Sequence, residues 1–114
     1  MPPRDWRLRI AGILAAIQAI ADYTQGMDYA AFTPDPKTMD AVLRNIMVIG
    51  EAASRIPEEV TQAHPEIPWR DMQDMRNHLV HEYFGVSAKI LWDTVRDKLP
   101  PLVEHLRPLL HHAP

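Results

Sequence analysis

The sequence contains no cysteine among its 114 residues. Disulfide bonds and thiolate metal sites are therefore excluded, and a reducing, cytoplasmic location is the simplest expectation. The chain also lacks any run of about 18 apolar residues, so we expect no membrane span. The N-terminal segment MPPRDWRLRI has no long apolar stretch before a small-residue cleavage site, which argues against a signal peptide.

An excess of positive charge is absent as well. The formal net charge is −3 with the histidines neutral. A strongly basic chain would be typical of nonspecific nucleic-acid binding. Any contact with RNA must therefore come from a local patch, which an oligomer could assemble from several copies of the chain.

Apolar residues are plentiful, at 46% of the chain, and a length of 114 residues fits a single domain over residues 1–114. Eleven prolines and four glycines divide the sequence into blocks with helical periodicity. The first block covers residues 5–25, and Gly26 follows it as a stop signal. Its apolar stripe consists of Leu8, Ile13, Ile17, Ile20 and Thr24.

The second block is predicted to begin at Asp35 as N-cap, with Pro36 at the first helical position. Pro57 ends it. Residues 27–36, before the block, are predicted to form a loop, and residues 57–68, after it, a connector with about one helical turn. The stripe of this second block consists of Val42, Ile46, Ile49, Ala53 and Ile56.

The third block runs from residue 68 to residue 83 and has Gly85 as its predicted C-cap. Ser87 caps a fourth block, which Pro100 and Pro101 break or kink before a last helical segment. No strand pattern of useful length occurs. We therefore expect an all-α, up-down bundle of four main helices, the last one kinked or broken at the two prolines.

The segment MRNHLVHEYFGV, residues 75–86, is unusually rich in polar side chains. On a straight helix, Arg76 and Tyr83 are about two turns apart and share a face. Asn77 and His81 share the neighbouring face. Arg76 and His81 are separated by about 140° around the axis, which is too wide for ideal partners within one chain.

Three interpretations of this segment compete. His78 and His81 could bind a metal with Glu82 or Glu51, but nothing else completes a set of four ligands, so no metal is expected. A solvated helix face is the common arrangement for such residues. The third interpretation is RNA cleavage without a metal, in which His81 transfers protons, Arg76 binds the phosphate and Asn77 donates a hydrogen bond. A two-fold dimer would bring two such sets to one cleft.

The pattern Arg76-x4-His81-x-Tyr83, with Asn77 after the arginine, resembles the signature of HEPN-domain ribonucleases. The likeness is greatest to the HepT-like toxins, the partners of MNT-type nucleotidyltransferase antitoxins. The IGEA block of the second helix and the IPW that precedes the third helix add to it. The resemblance covers roughly residues 8–102, which is nearly the whole chain.

That resemblance implies a helical homodimer that acts as a metal-independent endoribonuclease on tRNA or mRNA, without a cofactor. It implies that Arg76 and His81 are the catalytic pair and that Asn77 is the polar residue beside them. Tyr83 corresponds to the tyrosine that the antitoxin modifies with AMP from ATP, which silences the toxin. An alternative function is a non-catalytic helical dimer that binds a nucleotidyltransferase and serves as its AMP acceptor.

Two further features are open to a structural or a functional interpretation. Arg44 and Glu51 lie seven residues apart and share a helix face, so they are expected to form a surface ion pair. In the alternative interpretation, Arg44 supports the cleft or RNA binding. Trp69 and Trp92 are expected in the core or in a dimer interface rather than as platforms for stacking bases.

Overall fold

The computed structural model describes residues 5–81 and 88–111, and for residues 78–81 it describes the backbone alone. Within these ranges the chain is all-helical and has no strand. The helices are α1 (Trp6–Tyr23), α2 (Tyr29–Phe32), α3 (Pro36–Ser54), α4 (Glu58–Ala63), α5 (Trp69–His81), α6 (Ala88–Asp93) and α7 (Leu99–Leu106). A π-helical turn, Thr94–Lys98, joins α6 to α7, and the 3₁₀ turn Arg107–His111 follows α7.

Four helical segments form the predicted up-down bundle, namely α1, α3, α5 and the run from α6 to the 3₁₀ turn. Helix α3 packs against both α1 and α5, while α7 and the 3₁₀ turn pack against α1. The all-α fold class predicted from the periodicity is therefore confirmed. No helix in the described ranges is long and apolar enough to cross a bilayer.

Aspartate side chains begin three of these helices. Asp35 caps α3 as predicted, because its Oδ1 accepts from the backbone N–H of Thr38 at 3.1 Å, and Pro36 occupies the first turn. Asp5 accepts from the Arg7 N–H at the start of α1. Such caps satisfy N–H groups that have no partner within the helix.

The prediction of a loop over residues 27–36 is wrong in part, because this segment contains the short helix α2. Asp28 caps this helix by accepting from the Ala31 N–H at 2.8 Å. Phe32 at its end is fully buried and lies 5.0 Å, centroid to centroid, from the ring of Trp92. One buried aromatic side chain thus stabilises a turn that has too few residues for a periodic pattern.

Both predicted stripes form the core with one exception. Ile13, Ile17 and Ile20 of α1 are buried, as are all five predicted positions of the second stripe. Leu8 is 70% exposed, so its predicted place in the core is wrong. It lines an open groove beside α3 instead. Trp69 and Trp92 are buried, as expected.

The last helix is interrupted, as predicted, and the interruption is the π-helical turn, which ends at Lys98, shortly before Pro100 and Pro101. The N–H of Leu99 donates to the carbonyl of Thr94, five residues earlier. Prolines have no N–H and their rings clash with the carbonyl four residues back, so the regular pattern cannot continue through this point. The two prolines then fall in the first turn of α7, where their missing N–H groups cost little.

Candidate functional site

Helix α5 carries the polar motif and is anchored at its beginning. The indole N–H of Trp69 donates to the carbonyl of His64 at 3.1 Å. Met72 is fully buried one turn later, and Met75 is partly buried against the core. This anchoring sets the rotation of the helix, so that Arg76 lies beside α3.

Arg76 is held by two neighbours. Its Nη1 donates to Glu51 Oε2 of α3 at 2.7 Å. Its Nε and Nη2 donate to Asn77 Oδ1 at 3.4 and 3.2 Å. Because arginine can only donate, the carbonyl end of the Asn77 amide must face it. Two of the predicted site residues, Arg76 and Asn77, are thus in direct contact.

Helices α3 and α5 approach closely at this point because residue 50 is glycine. A Cβ atom on Gly50 would collide with the Cβ of Arg76 and would lie 3.1 Å from the carbonyl oxygen of Met72. Glycine removes this obstacle, so the next residue, Glu51, can reach the guanidinium. Sequence reasoning missed this contact, because it joins residues 25 positions apart.

An open groove of about 700 Å³ extends from Arg76 between α1 and α3. Three arginines line it, namely Arg9, Arg44 and Arg76. Its apolar lining includes Leu8, Met47 and Val48, whose side chains are all substantially exposed. The groove is therefore a mixed surface, lined by both apolar side chains and guanidinium groups.

The two carboxylates of the groove are both paired with arginines. The Arg7 side chain donates to Asp5 at 3.0 Å, and this hydrogen bond, with that of the Arg7 N–H, lowers the pKa of Asp5. Glu51 accepts from Arg55 at 3.1 Å through its second oxygen. The ion pair predicted between Arg44 and Glu51 is wrong, because Glu51 pairs with Arg55 and Arg76.

The other predicted site residues lie partly or wholly outside the described part of the chain. His81 is the last residue of α5. The side chains of His78 and His81 lie outside the described part of the chain. Tyr83 and Glu82 fall in the range 82–87, which is also outside it. Among the described residues, no group of three or more His, Asp or Glu side chains could hold a metal ion.

The fold and the site together define the class of this protein. It is an all-α, HEPN-like bundle that exposes an arginine–asparagine pair beside a groove. The chain belongs to the HepT-like ribonuclease family, whose model matches residues 13–109. A protein of Thermococcus cleftensis named "Probable ribonuclease HepT" is 44% identical over 79% of this chain and 82% of its own length. Family membership thus assigns a ribonuclease activity to the chain and confirms the resemblance found in its motif.

Other relatives agree with this assignment. A protein of Methanocaldococcus jannaschii, named provisionally as an RNase, is 36% identical over 96% of this chain and 91% of its own length. A protein of Caldanaerobacter subterraneus with the same kind of name is 33% identical over 86% of this chain and 88% of its own. No solved structure gives a significant match to the chain.

Proposed function

We propose that the protein is a metal-independent endoribonuclease that cleaves tRNA or mRNA as a homodimer, and that it is the toxin of a cytoplasmic toxin–antitoxin pair. One observation supports this proposal most directly. The guanidinium of Arg76, in a chain of a ribonuclease family, is held at the edge of an open groove by Glu51 and Asn77.

The hydrogen bonds of Arg76 leave room for a phosphate. A guanidinium has five N–H groups, and Glu51 and Asn77 engage three of them. One N–H on each terminal nitrogen therefore remains for the phosphate oxygens, in the forked arrangement that favours arginine at such sites. The amide nitrogen of Asn77 supplies a further neutral donor.

Histidine completes the proposed chemistry. His81 accepts the proton of the RNA 2′-hydroxyl, and the 2′-oxygen attacks the adjacent phosphorus. The bond from phosphorus to the 5′-oxygen breaks, and that oxygen takes a proton from His81 of the second copy. The products are a 2′,3′-cyclic phosphate and a 5′-hydroxyl end. An imidazole suits both proton transfers, because its reference pKa lies near 6.5. Arg76 stabilises the negative charge that develops on the phosphate oxygens, a task that a metal ion would otherwise perform.

The dimer is proposed because one chain is incomplete by itself. Arg76 and His81 point about 140° apart on a straight helix, and each chain offers one His81. A second copy across a two-fold axis beside α5 would bring two Arg76–His81 sets to one cleft. The exposed apolar side chains of Leu8, Met47 and Val48, which line the same groove as Arg76, form a surface that a second copy would cover.

Tyr83 is the proposed control point. It lies seven residues after Arg76, so a helix that continued this far would present both on one face. An MNT-type nucleotidyltransferase antitoxin would transfer AMP from ATP to the hydroxyl, with release of pyrophosphate. The added phosphate would place a negative charge beside Arg76 and compete with the RNA for it.

Incubation of the purified protein with tRNA in the presence of EDTA tests the proposal. We expect cleavage to persist, and both Arg76→Ala and His81→Ala to lower the rate about 100-fold or more, since each removes a group that acts on the reacting phosphate. Arg70→Ala is the matched control, because Arg70 is exposed nearer the start of the same helix. Cleavage that needs added metal, or that survives in the His81→Ala protein, contradicts the mechanism.

The same assay separates the two candidate functions. Treatment with the cognate nucleotidyltransferase and ATP should add one AMP to Tyr83, detected by mass spectrometry, and should abolish cleavage. Tyr83→Phe should keep its activity under the same treatment. An AMP adduct on a protein that never cleaves RNA would favour the non-catalytic AMP acceptor instead.

A further inference from the structure

The carboxylate of Glu51 lies between two arginines at the edge of the groove. Its Oε2 accepts from Arg76 Nη1 at 2.7 Å. Its Oε1 accepts from Arg55 Nε at 3.1 Å and lies 3.1 Å from Arg55 Nη2. Arg55 is the C-cap residue of α3, four residues after Glu51, whereas Arg76 comes from α5. Glu51 is therefore the charged group through which α3 contacts the arginine of the motif.

The contact depends on the backbone as well as on charge. Gly50 allows the backbone of α3 to approach the β-carbon of Arg76, with no room for a side chain of its own. A long arginine side chain on an open surface ordinarily samples many rotamers. Here its first carbon packs against Gly50, and its guanidinium is bound from two sides, by Glu51 and by Asn77.

The geometry points to Glu51 as a positioning residue for the ribonuclease reaction, which aims the remaining N–H groups of Arg76 at the scissile phosphate. This inference rests on the function proposed above. An ion pair as exposed as this one, with Arg76 at 32% and Glu51 at 50% of full exposure, contributes little to folding stability. If Glu51 orients Arg76, loss of the ion pair slows the reaction by more than its small contribution to folding stability would predict.

In the alternative role, the carboxylate of Glu51 is inhibitory, because it competes with the RNA phosphate for Arg76. The two roles predict opposite kinetics. Loss of a positioning group lowers kcat, because misdirected donors stabilise the transition state less than before. Loss of an inhibitory carboxylate lowers KM and leaves kcat unchanged or raised, since the phosphate then has a free guanidinium to bind.

Kinetics on an RNA substrate with Glu51→Ala and Glu51→Gln distinguish these roles. We expect Glu51→Ala to lower kcat about ten- to a hundredfold, with a smaller change in KM. The kcat of Glu51→Gln should lie between that of Glu51→Ala and that of the wild type, because the amide oxygen of glutamine can still accept one neutral hydrogen bond. Glu104→Gln, which changes an exposed glutamate on α7, is the matched control. Unchanged kcat in Glu51→Ala, or a fall in KM alone, overturns the inference.

A second measurement does not need activity. In ¹⁵N-labelled protein, the Arg76 Nε–H signal, assigned by its absence from Arg76→Lys, reports the order of the guanidinium group. We expect an ordered Nε–H in the wild type and a clearly more mobile one in Glu51→Ala. Equal order in both proteins contradicts positioning by Glu51.

The two readouts keep the proposals separate. A wild-type protein that does not cleave RNA, but whose Arg76 order depends on Glu51, would remove the proposed ribonuclease mechanism and leave Glu51 as the residue that orients Arg76. Wild-type cleavage with unchanged kcat and unchanged order in Glu51→Ala would remove the role of Glu51 and leave the ribonuclease proposal intact.

Discussion

At the scale of single residues, the candidate site depends on a glycine as much as on its charged groups. Gly50 lies within α3, where glycine is ordinarily unfavourable because of its backbone entropy. The position is explained by the β-carbon of Arg76, which occupies the space that a side chain at residue 50 would need. A local cost within α3 therefore permits the contact between Glu51 and Arg76.

Gly50→Ala is expected to lower the free energy of unfolding by about 1–3 kcal/mol, the usual cost of overpacking a close contact. Gly12→Ala is the control, because a Cβ there meets no atom within 4 Å. That substitution should raise the free energy of unfolding by roughly 0.5–1 kcal/mol, since alanine is the better helix former. Urea denaturation at one fixed protein concentration measures both changes, and equal effects of the two substitutions would contradict the close contact at Gly50.

At the scale of the elements, the helix ends are explained by short-range chemistry. Asp35 shows this best, since its side chain accepts from both the N–H and the hydroxyl of Thr38. These two hydrogen bonds, that of the Thr38 side chain first, lower the pKa of Asp35. They stabilise the charged form of the carboxylate and with it the first turn of α3.

This cap makes a pH-dependent contribution to stability. Because the pKa of Asp35 is lower in the folded than in the unfolded chain, its contribution is fully present above the unfolded value, near 3.9. It is lost as the pH falls through the folded value. An asparagine at this position would still cap the helix but would not titrate, so the melting temperature of the wild type should exceed that of Asp35→Asn at pH 7.

The difference in melting temperature should shrink progressively as the pH is lowered below about 4. Thermal unfolding of the two proteins at a series of pH values measures it. A difference that stays constant down to the acid limit would show that the charge of Asp35 does not contribute to the cap.

At the scale of the whole molecule, the groove between α1 and α3 is the feature that a single chain leaves unexplained. It exposes Leu8, Met47 and Val48 beside Arg76. Exposed apolar side chains are common one at a time, but a group of them at a candidate site is typical of an interaction surface. A second copy of the chain is the occupant that would also complete the proposed chemistry.

Met47→Lys tests this arrangement, because a two-fold axis would bring the two new charges near each other. We expect the wild type to sediment as a dimer of the 13.1 kDa chain and the variant as a monomer with greatly reduced RNA cleavage. Ile90→Lys is the control, since Ile90 is similarly exposed on α6 and does not line the groove. A Met47→Lys protein that remains dimeric would place the interface elsewhere.

Periodicity and punctuation in the sequence determined the number of main helices, the cap at Asp35, most of the core and the interruption of the last helix near Pro100. These features depend on residues within a few positions of each other, where helical geometry is known in advance. The same geometry placed Arg76 and Asn77 on one helix. The family motif came from the sequence too, and the family assignment agrees with it.

Only the tertiary structure decided which side chains from different helices meet. It paired Glu51 with Arg76 rather than with Arg44, moved Leu8 from the core to the groove, and formed α2 around the buried ring of Phe32. Sequence spacing shows which residues share a helix face, but it does not show which face of the neighbouring helix lies opposite. That depends on how closely two helices approach, and here the approach was set by the absence of a side chain at Gly50.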